Sequence, residues 1–364
     1  MSAKSSHSYT HVCAYIENLV RDLMDRRHIP GLAIAVILRG QVAFAGGFGV
    51  ARVGTLQPVT IESVFHMASV TKPFAAAAAM QLVERKKLDL DASVTQYLPY
   101  FRLNDTRFDQ ITVRQLLSHT SGMPEIDDYH WDEPEYDRES LERYVKQLAG
   151  LSLVDRPGAR FAYSNIGFDV LGDVISKAAG MTFETFMRRS ILAPLEMSSS
   201  TLLIRKADKT RLVSPHVYDQ EGMVVPSEVF PYNRCHAASS TLYSTLDDMD
   251  RWALANLNNG RIDGGRRRLL PEAAFGELWR PQADVPASPD FPPGISVCLS
   301  WFRVVYKGHV MIGHGGRDVG FQTFLVLVPE ENAAITMMTN CGSDDVNILI
   351  PLEIIAALLD RTLG

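Results

Sequence analysis

Ser69 and Lys72 stand three residues apart in the stretch Phe65-His66-Met67-Ala68-Ser69-Val70-Thr71-Lys72-Pro73-Phe74, which runs into an alanine block at 75–79. Alanines followed by Met80, Leu82 and Val83 predict a buried helix. Ser69 is expected at its N-cap, and Pro73 falls in the first turn, where a missing N–H costs little. Residues three apart share a helix face, so the Lys72 amine should sit beside the Ser69 hydroxyl. The amine can then take the hydroxyl proton, and an N–H at the helix start is available to a developing oxyanion. A capping serine with a solvated lysine is the ordinary alternative. The apolar surroundings weigh against it, because desolvation lowers a lysine pKa and makes the amine a usable base.

Two further groups carry chemistry. Tyr163-Ser164-Asn165 is the one Tyr-x-Asn of the chain and precedes a helical pattern. A phenol near an ammonium is expected to ionise more easily and relay a proton, and the asparagine amide can hold a lysine or a substrate carbonyl. A core tyrosine and a capping asparagine would read the same way. His314 stands among Gly313, Gly315, Gly316 and Gly320, with Arg317 following, at a place expected between two strands. Glycines there let backbone approach a ligand.

These residues need a scaffold, and 364 residues suggest two lobes or one large domain. A hydrophobic content of 46% with 21% charged residues fits a soluble globular protein. A net charge of −6 gives no reason to expect nucleic acid or an anionic membrane as partner. The polar N-terminus shows no secretory signal, and no run approaches the roughly 18 apolar residues of a membrane span, so a cytoplasmic protein is expected. Cys13, Cys235, Cys298 and Cys341 are scattered and read as reduced thiols rather than disulfides or a zinc site.

Periodicity predicts a helix over 11–28 and a hairpin of strands 32–38 and 42–50. Thr112 should cap a short helix, and residues 169–179 and 183–192 should be helical. Thr245 should open a helix through a capping box with Asp248. Segments 295–306, 309–312, 321–329 and 333–339 read as an antiparallel meander, closed by a helix over 346–358. The economical arrangement is α/β (α+β): an antiparallel sheet from both chain ends (about 10–75 and 286–364), flanked by helices, with a mostly helical lobe (about 76–285) inserted. A site belongs in the groove between them. Residues 125–143, acidic and aromatic, form a cleft-lining loop or a solvated connection; with 224–236 they are the candidate pocket walls.

Taken in order, Ser69-Val70-Thr71-Lys72, Tyr163-Ser164-Asn165 and His314-Gly315-Gly316 resemble the three motifs of the serine β-lactamase-related hydrolases. That family includes class C β-lactamases, DD-carboxypeptidases, D-aminopeptidases and related esterases. Leu116 to Pro124 and Leu242 to Thr245 also resemble family segments, and the likeness covers about residues 15–355 as a single domain. It implies a β-lactamase/penicillin-binding-protein-like fold and an acyl-enzyme on Ser69, with Lys72 and Tyr163 sharing base and acid duty. Asn165 would position Lys72 and the substrate. His314 and Gly316 would line the substrate strand, and the N–H groups of Ser69 and Arg317 would form the oxyanion hole. No metal or organic cofactor is implied, His119 would hold a loop, and a homo-oligomer is compatible.

Two departures bear on the substrate. His314 replaces the lysine that holds a penicillin or peptide carboxylate in many relatives, and a neutral imidazole favours esters or amides without that group. Ser239-Ser240-Thr241 stands where relatives often have Ala-Gly-Gly. The expected activity is that of a serine esterase or amidase on small acyl substrates. A D-amino-acid-specific peptidase, a weak β-lactamase, an acyltransferase and a catalytically silent binding or filament-forming protein are the alternatives.

Overall fold

The computed structural model describes residues 3–125, 128–288, 291–342 and 346–363. The expectations for Met1 and Ser2, and for Ile126 and Asp127 within 125–143, lie outside these residues. An eight-stranded antiparallel sheet organises the chain: β1 (Gly31–Leu38), β2 (Gln41–Gly49), β3 (Ala283–Asp284), β4 (Ser296–Val297), β5 (Phe302–Tyr306), β6 (His309–Asp318), β7 (Phe321–Val328) and β8 (Ala333–Thr339). Its order is β2-β1-β8-β7-β6-β5-β4-β3, so strands from the two chain ends meet where Leu32 pairs with Thr339.

β1 is apolar and buried along its whole length because both of its faces are covered. Leu32, Ile34 and Val36 turn to one core with helices α1 (Ala3–Arg26) and α6 (Leu349–Leu363). Ala33, Ala35 and Ile37 turn to the other, as strand alternation requires. That second core is centred on α2 (Thr71–Glu84), buried on every side from Thr71 to Leu82. A helix that is apolar all round has no solvent face to offer. Phe74 of α2 stacks on Trp252 of α5 (Leu246–Leu257) at 4.0 Å. The remaining helices used below are α3 (Val113–Leu117) and α4 (Asn165–Ala179).

Local capping follows the residue types in part. Thr112 and Gln115 form a full capping box on α3. Thr245 accepts from the Asp248 N–H, but the Asp248 carboxylate turns to Ser199 and Ser200 instead of closing the box. Ser69 is not an N-cap. It lies inside a single 3-10 turn, Ala68–Val70, and α2 begins two residues later with no side-chain cap. The segment 295–306 is two strands, interrupted by Cys298–Trp301, and β6 runs on through His314 to Asp318 rather than stopping at Ile312. The closing helix starts and ends a few residues later than its periodicity suggests. All four cysteines are free thiols, Cys13 half-buried and the others buried. No described helix is long and apolar enough to cross a membrane.

One buried acid is left over from this packing. Asp250 of α5 is buried, and its Oδ1 meets no hydrogen-bond partner among the described residues. Burial, with Asp247 adding to it, raises its pKa from 3.8 to about 8. The stability that this acid contributes is complete below pH 3.8 and is lost as pH rises through about 8. Asp250→Asn removes that loss. In thermal melts followed by circular dichroism, its melting temperature should match wild type near pH 4 and exceed it at pH 8.5, by the equivalent of on the order of 5 kcal/mol. Parallel melting curves at both pH values would refute the assignment.

Candidate active site

β5 leaves β6 after the pair Phe302↔Gly313, so no described strand pairs with β6 from His314 to Asp318 on that side. The turn Ala68–Val70 packs against this strand. Thr323 of β7 donates to Met67 O at 2.7 Å. A Cβ on Gly316 would stand 2.6 Å from Met67 O and 2.9 Å from Ser69 N, closer than real Cβ atoms come. Only glycine lets strand and turn touch here. Ala68 itself has φ +47°, a left-handed conformation that a residue with a Cβ adopts at some cost and that marks many functional turns.

Lys72 is fully buried and its ammonium has three acceptors: Ser69 Oγ at 2.8 Å, Asn165 Oδ1 at 2.5 Å and Ser239 O at 2.8 Å. Three donors meet three acceptors. Burial lowers its pKa from 10.5 to about 8, against the opposing pull of Glu125, Asp169 and Asp318. In the neutral amine, two N–H bonds suffice for Asn165 and Ser239, and the lone pair is left facing the Ser69 O–H. Tyr163 donates its phenol O–H to the same Ser69 Oγ at 3.1 Å. The expectation of an easily ionised phenol is wrong. Burial, with Glu125 and Asp318 adding to it and the Ser69 hydrogen bond opposing it, pushes the Tyr163 pKa well above its ordinary value, so the phenol keeps its proton.

The partners of these groups are fixed in turn. Ser164, not Asn165, caps α4, accepting from Gly167 N at 3.1 Å. The Asn165 amide donates to Tyr129 Oη at 2.6 Å and Glu125 Oε2 at 3.2 Å. This leaves its Oδ1 pointing at Lys72. His119 stacks on Tyr163 with ring centroids 4.1 Å apart and accepts from Ser164 N at 3.1 Å. It therefore aligns the phenol as well as its own loop. His314 is buried, its Nδ1 donating to Gly315 O at 2.5 Å, and its Nε2 meets no partner among the described residues. Burial first, then the Lys72 charge, lowers its pKa to about 3, so the ring is neutral at any physiological pH.

Ser69, Tyr163, Asn165, His314, Gly316 and Arg317 all line one cavity of about 410 Å³, and Lys72 lies directly beneath Ser69. Among the described residues, neither proposed wall lines it. Residues 232 and 234–236 are buried in the interior, where Arg234 pairs with Glu184 at 2.6 Å. Glu125 and Tyr129 act behind the cavity by holding Asn165. Asp318 was absent from the expected residues; its Oδ2 accepts from His66 Nε2 at 2.8 Å and from Ser240 Oγ. This ties β6 to the segment that supplies Ser239 O. Such long-range pairings leave no local pattern in a sequence.

Comparison with known proteins adds to this geometry. A model of the Beta-lactamase family matches residues 16–357. Protein flp of Staphylococcus aureus (strain COL) is 24% identical over 339 residues, covering 92% of this chain and 64% of that protein. The chain thus spans a little under two thirds of that relative's length. Penicillin-binding protein 4 of Amycolatopsis lactamdurans is 28% identical over 341 residues, 88% of this chain and 83% of its own. The octameric penicillin-binding protein homologue from Pyrococcus abyssi superposes with a TM-score of 0.81 at 26% identity, over 95% of this chain and 77% of that one.

The close approach at Gly316 is directly testable. Gly316→Ala should separate β6 from the Ser69 turn and lower stability by about 1–3 kcal/mol, read as a lower urea midpoint with an unchanged slope. An unaltered midpoint would mean that the turn and the strand part without strain.

Proposed function

Because the chain belongs to the Beta-lactamase family, we propose that it is a serine hydrolase that works through an acyl-enzyme on small esters or amides, carboxylesters foremost. The observation that carries the reading is the buried Lys72 amine, lowered to about 8 and 2.8 Å from the Ser69 hydroxyl. At pH 7 roughly one molecule in ten holds it neutral, far more than for a solvated lysine.

Ser69 Oγ attacks the substrate carbonyl carbon and its proton passes to Lys72 Nζ. The oxyanion accepts hydrogen bonds from the N–H groups of Ser69 and Arg317. Collapse breaks the bond to the leaving group, which takes a proton from Tyr163 while Lys72 returns one to the phenol. A water molecule then attacks the acyl carbon and gives its proton to the same pair, which passes it to Ser69 Oγ as the acyl C–O bond breaks and the acid leaves. Asn165 and the Ser239 carbonyl hold the amine in line throughout. A phenol that stays protonated suits the role of donor to the leaving group better than that of a base.

The neutral His314 is the basis for preferring substrates without a carboxylate, since a fixed positive charge is missing at that position. Arg317 supports a second reading. It lines the same cavity and a guanidinium binds carboxylates well, which suits a D-amino-acid peptidase or a weak β-lactamase. Acyl transfer to an alcohol or amine would use the same first half-reaction. A silent binding protein would have no use for the Ser69–Lys72–Tyr163 set. A cytoplasmic homo-oligomer is part of the same reading, supported for assembly by the octameric homologue.

Intact-protein mass after exposure to p-nitrophenyl acetate, a penicillin and a D-amino-acid amide tests the proposal. Ester turnover or an adduct is expected for wild type and none for Ser69→Ala. Preference for the penicillin or the amide would shift the reading to Arg317, and no reaction with all three would favour the silent protein. The rate constant kcat/KM for the ester should rise with pH and level off above about 8, because the base must be neutral. Lys72→Gln should cost at least about 10²-fold and abolish that rise.

A further inference from the structure

Two acceptors of Lys72, Asn165 Oδ1 and Ser239 O, lead back to one buried side chain that no step above uses. His236 is 1% exposed. Its carbonyl accepts from Ser239 Oγ at 3.2 Å, which closes the turn that carries the Ser239 carbonyl. Its ring packs at 5.1 Å against Tyr129, whose Oη accepts from the Asn165 amide. Trp131 and Tyr144 enclose it further at 5.4 Å and 5.0 Å, all three rings steeply inclined to the imidazole. The ring also has a polar partner. His236 Nδ1 donates to Asp169 Oδ2 at 2.7 Å, and both side chains are shut off from water. Asp169 lies one turn beyond Asn165 on the same face of α4. It is one of the three carboxylates whose charge acts on the Lys72 amine, and its Oδ1 meets no partner among the described residues. A buried carboxylate that loses its donor gives up its charge; here the donor is the imidazole N–H.

We infer that His236 is a positioning residue of the active site: by donating to Asp169 it maintains a negative charge that acts on the Lys72 amine, and by packing on Tyr129 and closing the Ser239 turn it aims two of that amine's acceptors. In giving this arrangement a part in catalysis, the inference rests on the acyl-enzyme reading above. Most titratable groups that face the pair are uncharged at neutral pH. Burial holds Tyr129, Tyr144 and Cys235 in their protonated forms. Tyr163 keeps its proton, and His119 and His314, which feel the Lys72 charge, are neutral. The charged groups are Lys72, Glu125 and Asp318, with Glu135 and Arg143 acting on Cys235 and the Arg234–Glu184 pair on the same turn. Loss of the Asp169 charge therefore leaves desolvation less opposed, and the amine gives up its proton more readily.

The test follows the Lys72 amine itself, by NMR of the whole chain labelled with 13Cε-lysine, the Lys72 signal being assigned by its loss in Lys72→Gln. Wild type should titrate at about 8. His236→Phe fills the place of the imidazole without a donor, and Asp169→Asn removes the charge. Each should lower the Lys72 midpoint by at least about 0.5 pH unit, and the double variant should lower it no further than either alone. His236→Asn, which offers an amide N–H near the place of Nδ1, should restore at least half of the difference. The rise of kcat/KM for p-nitrophenyl acetate should shift by the same amount. A midpoint that moves in Asp169→Asn but stays or rises in His236→Phe overturns the role of His236, and one that stays in both overturns the whole inference. His236→Met, also without a donor, replaces the Phe variant should that one not fold, and Asp169→Asn decides if neither does. The titration needs no turnover. A rate profile that does not follow the midpoint, or a chain that hydrolyses no ester, therefore counts against the acyl-enzyme reading and leaves the positioning of the amine standing.

Discussion

A lysine ammonium removed from water needs every donor satisfied, and that single requirement organises the site. Lys72 takes its acceptors from three separate places: its own helical entrance, the start of α4 and the carbonyl of Ser239. Desolvation destabilises the charged form, while Glu125, Asp169 and Asp318 favour it. The balance falls between a permanently charged and a permanently neutral amine, where a proton can be exchanged in either direction. A misplaced acceptor would upset the balance, which explains why so many neighbours serve to aim one atom. Glu125 and Tyr129 orient the Asn165 amide, and Asp318 with Ser240 braces the segment carrying Ser239.

The second constraint is steric. The Ser69 turn must lie against a strand edge close enough for backbone N–H groups from both to converge on one oxygen. Gly316 removes the obstacle on the strand, and the left-handed Ala68 turns the serine toward it. The same strand carries Gly313 and Gly315 on its other face, where it lies equally close to β7: a Cβ on Gly313 would stand 2.7 Å from Leu325 O.

Much of this was legible in the residues. The alanine block with Ser69 and Lys72 announced a buried helix and a desolvated amine, and the order of the three motifs carried the fold. Thr112 and Thr245 were readable caps because capping is local. Where the reading failed, tertiary forces had overridden a local preference. Ser69 has the residue type of a cap but sits in a 3-10 turn held by β6 and β7. The phenol of Tyr163 was read from its charged neighbour, whereas its burial is the leading influence on it. The aromatic content of 224–236 suggested a cavity wall, whereas residues 231–236 are buried in the interior, where Arg234 pairs with Glu184. Contacts such as His66 with Asp318, or His119 with Tyr163, depend on which distant segments meet, and no periodicity encodes that.

The union of the chain ends in one sheet has a consequence during synthesis. β1, eight buried residues, finds its inner partner in β8, with Leu32 opposite Thr339. A ribosome adding about 5–20 residues per second makes β1 wait roughly 15–60 s for that partner. Throughout, it has only the glycine-thinned β2 beside it and one bare edge, the kind of template on which unrelated strands aggregate. The nascent chain therefore carries a bare, apolar strand edge until β8 emerges, the interval in which its aggregation is governed by how fast the intervening residues are made.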